Sequence, residues 1–249
     1  MSERMKKPVR LISHSLPIEA VTTEAAYDNI GYLGDVQDLI AYCARVSNPS
    51  NQSNKSTNEK LIKYLIKHKH WSPLEMASAC MEITTTRDIA RQILRHRSFS
   101  FQEFSQRYAD PISIHDAVTR DARYQDPTNR QNSVPLDPLD EKDRRLNEEF
   151  RMKQMTHWRS AVALYDWAIE HKIAKEQARA VLPEGLTPSV LYMNGTLRSW
   201  VHYIELRSAN GTQKEHQDIA LACGVEITKI FPLLADSQQH AVPTLGAEI

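Results

Sequence analysis

From residue 144 to about residue 171, an apolar and aromatic stripe of Phe150, Met155, Trp158, Val162, Tyr165 and Ile169 recurs every three to five residues. That period predicts one long amphipathic helix with most of the stripe in a core. Such a helix needs a second layer to bury its apolar side. Shorter helices are expected over residues 56–69, from Arg87, over 174–182 where Pro183 stops the chain, over 196–206 and over 213–230. Ser56 with Glu59 reads as a capping box, and Thr86 can cap the helix at Arg87. Residues 77–86 alternate apolar and polar and end in β-branched residues, which predicts a half-buried strand. Residues 47–58, rich in Ser and Asn, read as a loop, and 110–143, with Pro111, Pro127, Pro135 and Pro138, as a surface excursion. The expected class is α/β (α+β): a single domain over 1–249, with long helices on a mostly antiparallel sheet.

Lys plus Arg equals Asp plus Glu at 31 each, so no global field draws the chain to nucleic acid or an anionic membrane. Any anion site must be a local cluster. No stretch reaches the roughly 18 apolar residues of a spanning helix, so a cytoplasmic protein without membrane partners is expected. Cys43, Cys80 and Cys223 are far apart, which suggests neither disulfides nor a metal site. With seven glycines and no Gly-x-Gly-x-x-Gly, the chain lacks a dinucleotide-binding turn.

The cluster lies between Arg87 and Tyr108. If the helix from Arg87 continues, Arg87, Arg91 and Arg95 share one face, where like charges repel by a few tenths of a kcal/mol per pair. Ile89, Ile93 and Leu94 would bury the other side, leaving the arginine face rigid against an anion. A solvated basic face is the bland alternative.

Arg95-His96-Arg97, then seven residues, then Ser105 resembles the signature of the flavin-dependent (alternative) thymidylate synthases. Chance would match four fixed positions in such a chain on the order of one time in a thousand. The resemblance extends to His70-Trp-Ser72-Pro73-Leu-Glu75, to Arg179 followed by Val181-Leu182-Pro183, and to Arg198-Ser-Trp-Val-His202-Tyr-Ile-Glu-Leu-Arg207. Two places depart from the family pattern: Thr196 stands where many members carry Asn, and residues 209–212 replace Asp-Ser-His-Ala.

The resemblance implies methylation of dUMP to dTMP, with methylenetetrahydrofolate as carbon donor and FAD reduced by NADPH. It assigns catalysis to Arg207, set against the uracil; from sequence alone, an ion pair with Glu205 or Glu215 is equally open. It gives dUMP to Gln92, Arg95, Glu103, Ser105, Arg107, Arg179 and Arg207. FAD falls to Ser72, Arg95, His96, Arg97, Glu103, Arg198 and His202. His70 becomes a stacking residue for folate or nicotinamide. A homotetramer with sites shared between subunits is also implied, and no metal. Most other histidines read as surface or packing residues. Ser105 reads as a phosphate donor rather than a nucleophile, because His96, flanked by arginines, is a poor base.

Two other classes compete: a nucleic-acid binder stacking bases on Phe99, Phe101, Phe104 and Tyr108, and an assembly protein whose arginines pair with another subunit. A flavin-nucleotide oxidoreductase is the fallback within enzymes.

Overall fold

The computed structural model describes residues 7–18, 34–52, 54–113 and 117–234. Its strands are β1 (Val9–His14), β2 (Ser78–Thr86), β3 (Phe99–Glu103), β4 (Arg123–Gln125), β5 (Ser133–Pro135) and β6 (Pro188–Thr196). Its α-helices are α1 (Val36–Ala44), α2 (Asn58–Lys67), α3 (Arg87–Ile93), α4 (Glu141–Glu170), α5 (Lys175–Ala178), α6 (Leu197–Ser208) and α7 (Lys214–Ile230). One antiparallel sheet runs β1-β2-β6-β3, while β4 and β5 form a separate hairpin inside the polar excursion. Helices on an antiparallel sheet are the architecture expected from the sequence.

The strand over 78–86 is central rather than half-buried: every residue from Met81 to Thr86 is buried, and β1 and β6 flank it on either side. Ala79, Met81 and Ile83 share one core cluster with Leu191 and Met193 of β6, Ile89 and Ile93 of α3, Trp200 and Ile204 of α6, and Ile219 and Cys223 of α7. Side chains alternate along a strand, so Glu82 points to the opposite face. There its carboxylate accepts from Arg10 of β1 at 3.0 Å and from the Tyr192 hydroxyl of β6 at 2.8 Å, which satisfies a buried charge.

Phe99 pairs with Gly195 across β3 and β6, and a Cβ at position 195 would stand 2.4 Å from the Phe99 ring. Glycine is the one residue that lets the ring lie on the strand. Phe99 then meets Trp200 edge-on at 4.8 Å, and Trp200 donates its Nε1–H to the Ala79 carbonyl at 3.0 Å. These contacts seat the start of α6 over the sheet.

α4 begins at Glu141, before the expected Arg144, because the Asp140 carboxylate accepts from the backbone N–H of Lys142 and Asp143. Trp158 and Tyr165 are buried with Leu182 and Leu186 in a second cluster, and Met155 and Val162 pack beside them. The ends of the stripe depart from expectation: Phe150 and Ile169 are exposed, since the second cluster covers only the middle of the helix. The capping box does not form either. Asn54 Oδ1 takes both the N–H and the hydroxyl of Ser56, Glu59 pairs with Lys63, and α2 starts at Asn58 after a 3-10 turn. Likewise the Thr86 hydroxyl donates to the Asp88 carboxylate at 2.6 Å instead of capping α3.

Candidate active site

α3 is shorter than the arginine stripe requires. Leu94 caps it by donating to the Ala90 carbonyl at 2.9 Å, so Arg95 lies beyond the helix. Arg87 pairs with Glu103 at 3.6 Å and Arg91 with Glu184 at 2.8 Å, which neutralises two members of the stripe within the chain. Arg95 and Arg97 are exposed, and among the described residues neither has a hydrogen bond or ion pair of its side chain. The free cations therefore stand at the head of the signature.

Arg207, in the last turn of α6, is half-buried, and its Nε donates to His96 Nε2 at 2.9 Å. It makes no ion pair with Glu205 or Glu215, and among the described residues its terminal N–H groups have no hydrogen-bond partner. Burial, Arg207 and Arg95 together push the His96 pKa down to about 4; Arg97, flanking it in sequence, is not among the causes. A neutral His96 that accepts at Nε2 must carry its proton on Nδ1.

A second chain of polar contacts runs behind His96. The Tyr203 hydroxyl lies 3.1 Å from His216 Nε2, His216 Nδ1 lies 3.2 Å from Gln92 Oε1, and Gln92 Nε2 donates to Gln213 Oε1 at 2.7 Å. Gln213 Nε2 then donates to Glu215 at 2.9 Å. His216 is fully buried, and burial with Arg207, His96 and Arg95 pushes its pKa down to about 3.

The far end of the signature forms a separate group. Glu103 accepts from the Ser189 hydroxyl at 2.8 Å besides pairing with Arg87. Ser105 opens a turn that ends at Tyr108, and its Oγ accepts from the Arg107 backbone N–H at 3.4 Å; among the described residues no histidine is hydrogen-bonded to it. Arg107 pairs with Glu176 at 3.4 Å, and Lys175 Nζ donates to the Tyr108 carbonyl at 3.3 Å. Both contacts tie the turn to α5, whose C-cap is Arg179. Among the described residues, no hydrogen bond or ion pair joins Ser105, Arg107 or Arg179 to Gln92, Arg95 or Arg207.

A third group surrounds the 3-10 turn Ser72–Met76. Arg198 is paired with Glu75, yet its buried Nε has no hydrogen-bond partner. His202 meets Trp71 edge-on at 4.8 Å, and the exposed His70 lies 5.9 Å from Tyr64, which also contacts His68. Thr196 caps α6 by accepting from the Ser199 N–H at 3.2 Å, a task Asn also performs well. Within 209–212, Gly211 sits at φ +91°, which side chains rarely adopt.

Burial pushes up the Cys43 and Cys80 thiols, and Cys223 still further, so none is poised as a thiolate. Phe99 and Phe101 pack against the core cluster, which removes them from the base-stacking surface a nucleic-acid binder would need.

The family described as thymidylate synthase complementing protein matches residues 30–233. A protein of Paramecium bursaria Chlorella virus 1 named "Probable flavin-dependent thymidylate synthase" is 49% identical over 80% of this chain and 88% of its own length. This chain is a member of the flavin-dependent thymidylate synthase family. The flavin-dependent thymidylate synthase of a Synechocystis strain is 47% identical over 80% of the chain and 87% of its own length. A solved structure of the UMP/dUMP methylase PolB from Streptomyces cacaoi, bound with 5-Br dUMP, shares the fold at TM-score 0.69 and 22% identity, covering 92% of this chain and 93% of that one.

Within this member of the family, sequence reasoning missed Tyr203 and His216. Tyr203 carried a usable signal, since it precedes Arg207 by one helical turn and so shares its face. His216 carried none, because its partner Gln92 is remote in sequence.

Proposed function

We propose that the chain is a flavin-dependent thymidylate synthase that converts dUMP to dTMP, with methylenetetrahydrofolate as carbon donor and NADPH as the source of reducing equivalents. The observation that supports this most is the Arg207–His96 contact, which holds a half-buried guanidinium with free N–H groups near the unpaired Arg95.

Arg207 binds the uracil and stabilises negative charge spread over N3 and O2 as C5 accepts the methylene group. His96 orients it. Gln92, Arg95, Ser105, Arg107 and Arg179 bind the nucleotide, chiefly its phosphate, through guanidinium forks and a hydroxyl that suit a dianion. FAD fits the third group: the buried, unpartnered Nε of Arg198 wants an acceptor, and the free charges of Arg95 and Arg97 suit a pyrophosphate. Ser72, Glu103 and His202 complete that set, and His70 offers a ring for folate or nicotinamide. When bound and reduced, FAD supplies the hydride. That no hydrogen bond or ion pair joins Ser105, Arg107 or Arg179 to Gln92 or Arg207 among the described residues supports a site completed by a second copy of the chain in a homotetramer. A cytoplasmic setting fits these substrates.

The test is anaerobic incubation with dUMP, methylenetetrahydrofolate, NADPH and FAD, reading dTMP. Its formation, with flavin reduction faster in the presence of dUMP, is the expected result. FAD reduction without dTMP would leave a flavin-nucleotide oxidoreductase in its place.

A further inference from the structure

We infer that Tyr203 and His216 are positioning residues that fix the side-chain amide of Gln92 toward the nucleotide; this rests on the reading above that Gln92 touches dUMP. The direction of every hydrogen bond in their chain follows from its last member. An ionised Glu215 can only accept, so Gln213 must present its Nε2–H there and its Oε1 to Gln92. Gln92 must then donate through Nε2, which turns its Oε1 to His216 at 3.2 Å. His216 answers with Nδ1–H, leaving Nε2 bare to accept from the Tyr203 hydroxyl at 3.1 Å.

The reverse order would set two oxygens against each other at Glu215, so that end fixes which way the Gln92 amide faces; at the other end His216, kept in its Nδ1–H form by the Tyr203 hydroxyl on Nε2, holds the Gln92 Oε1 in place. Gln92 keeps one unused Nε2 hydrogen, and that hydrogen is what it can offer to an acceptor atom of the nucleotide. Burial holds His216 neutral and the Tyr203 hydroxyl protonated, as the chain requires. Neither residue reaches the outside, since both are within 1% of full burial, so they act through Gln92 and not on substrate.

The test pairs solid-state 15N NMR of histidine-labelled enzyme with dUMP titrations of the flavin-loaded wild type, Tyr203→Phe, His216→Leu and Gln92→Ala. Tyr203→Phe keeps the ring contacts to His96 and Trp200 and removes only the hydroxyl, so it serves even if His216→Leu does not fold. Expected are a neutral Nδ1–H His216, dUMP affinity about three- to tenfold weaker in each variant, and FAD affinity and kcat at saturating dUMP nearly unchanged in Tyr203→Phe. An Nε2–H tautomer overturns the inference alone. So does wild-type dUMP affinity in Tyr203→Phe when Gln92→Ala binds weakly. Wild-type dUMP affinity in Gln92→Ala would instead remove the assignment of Gln92 to the nucleotide, and the positioning role with it.

Discussion

Arg207 is anchored by His96: the Nε–H of one meets the Nε2 of the other at 2.9 Å, across the gap between α6 and the turn after α3. The middle residue of the arginine-histidine-arginine signature thereby sets the direction in which the guanidinium points.

Arg207→Ala should lose most dTMP formation while FAD stays bound. A charged hydrogen bond lost from a site out of water is worth about 1.5 to 3 kcal/mol, roughly a ten- to hundredfold drop in kcat/KM. Steady-state rates beside a flavin absorbance spectrum check both halves. Arg207→Lys should rescue little, because an ammonium cannot bond His96 and face the uracil with one planar fork.

Acid should destabilise the fold through two histidines. His96 and His216 have pKa values of about 4 and about 3 in the fold, below the usual 6.5. Between pH 6.5 and those values the unfolded chain binds protons that the folded one refuses. Their contribution is therefore complete above pH 6.5 and is lost as pH falls, with a slope of at most about 1.4 kcal/mol per pH unit for each group. Thermal melts should show Tm falling less steeply from pH 6.5 to 4 in His216→Gln than in the wild type.

Ser105→Ala should weaken dUMP binding by about 1 to 3 kcal/mol and leave turnover measurable at saturating dUMP. Among the described residues Ser105 Oγ accepts only a backbone N–H and has no base hydrogen-bonded to it, so mass spectrometry of quenched enzyme should find no adduct there.

Gly195→Ala should cost about 1 to 3 kcal/mol by driving a methyl group into the Phe99 ring. Chemical denaturation measures it. The double change with Phe99→Leu should recover part of the loss, since a smaller side chain makes room.

Periodicity made most helices and β2 legible in the sequence, because a buried face repeats locally. The strands β1, β3 and β6 were not read. β3 coincides with Phe99, Phe101 and Glu103, whose alternation is hidden inside a stretch that reads first as chemistry, and β6 opens on Pro188. Motif order located Arg95, His96, Ser105 and Arg207, but not which arginines are free. That depended on Glu103 and Glu184 arriving at Arg87 and Arg91 from other elements. His216 shows the same limit: a buried histidine earns its meaning from a neighbour more than a hundred residues away.

Glu82 receives bonds from Arg10 on one side and Tyr192 on the other, so one carboxylate acts as a rivet through three strands. β6 runs directly into α6 at Thr196, and α6 carries Arg207. The outer strand β1, which contributes no residue to any of the three groups, is in this way mechanically continuous with the Arg207 guanidinium. Loosening that edge would be carried through β6 and α6 to Arg207, some two hundred positions along the chain from Arg10.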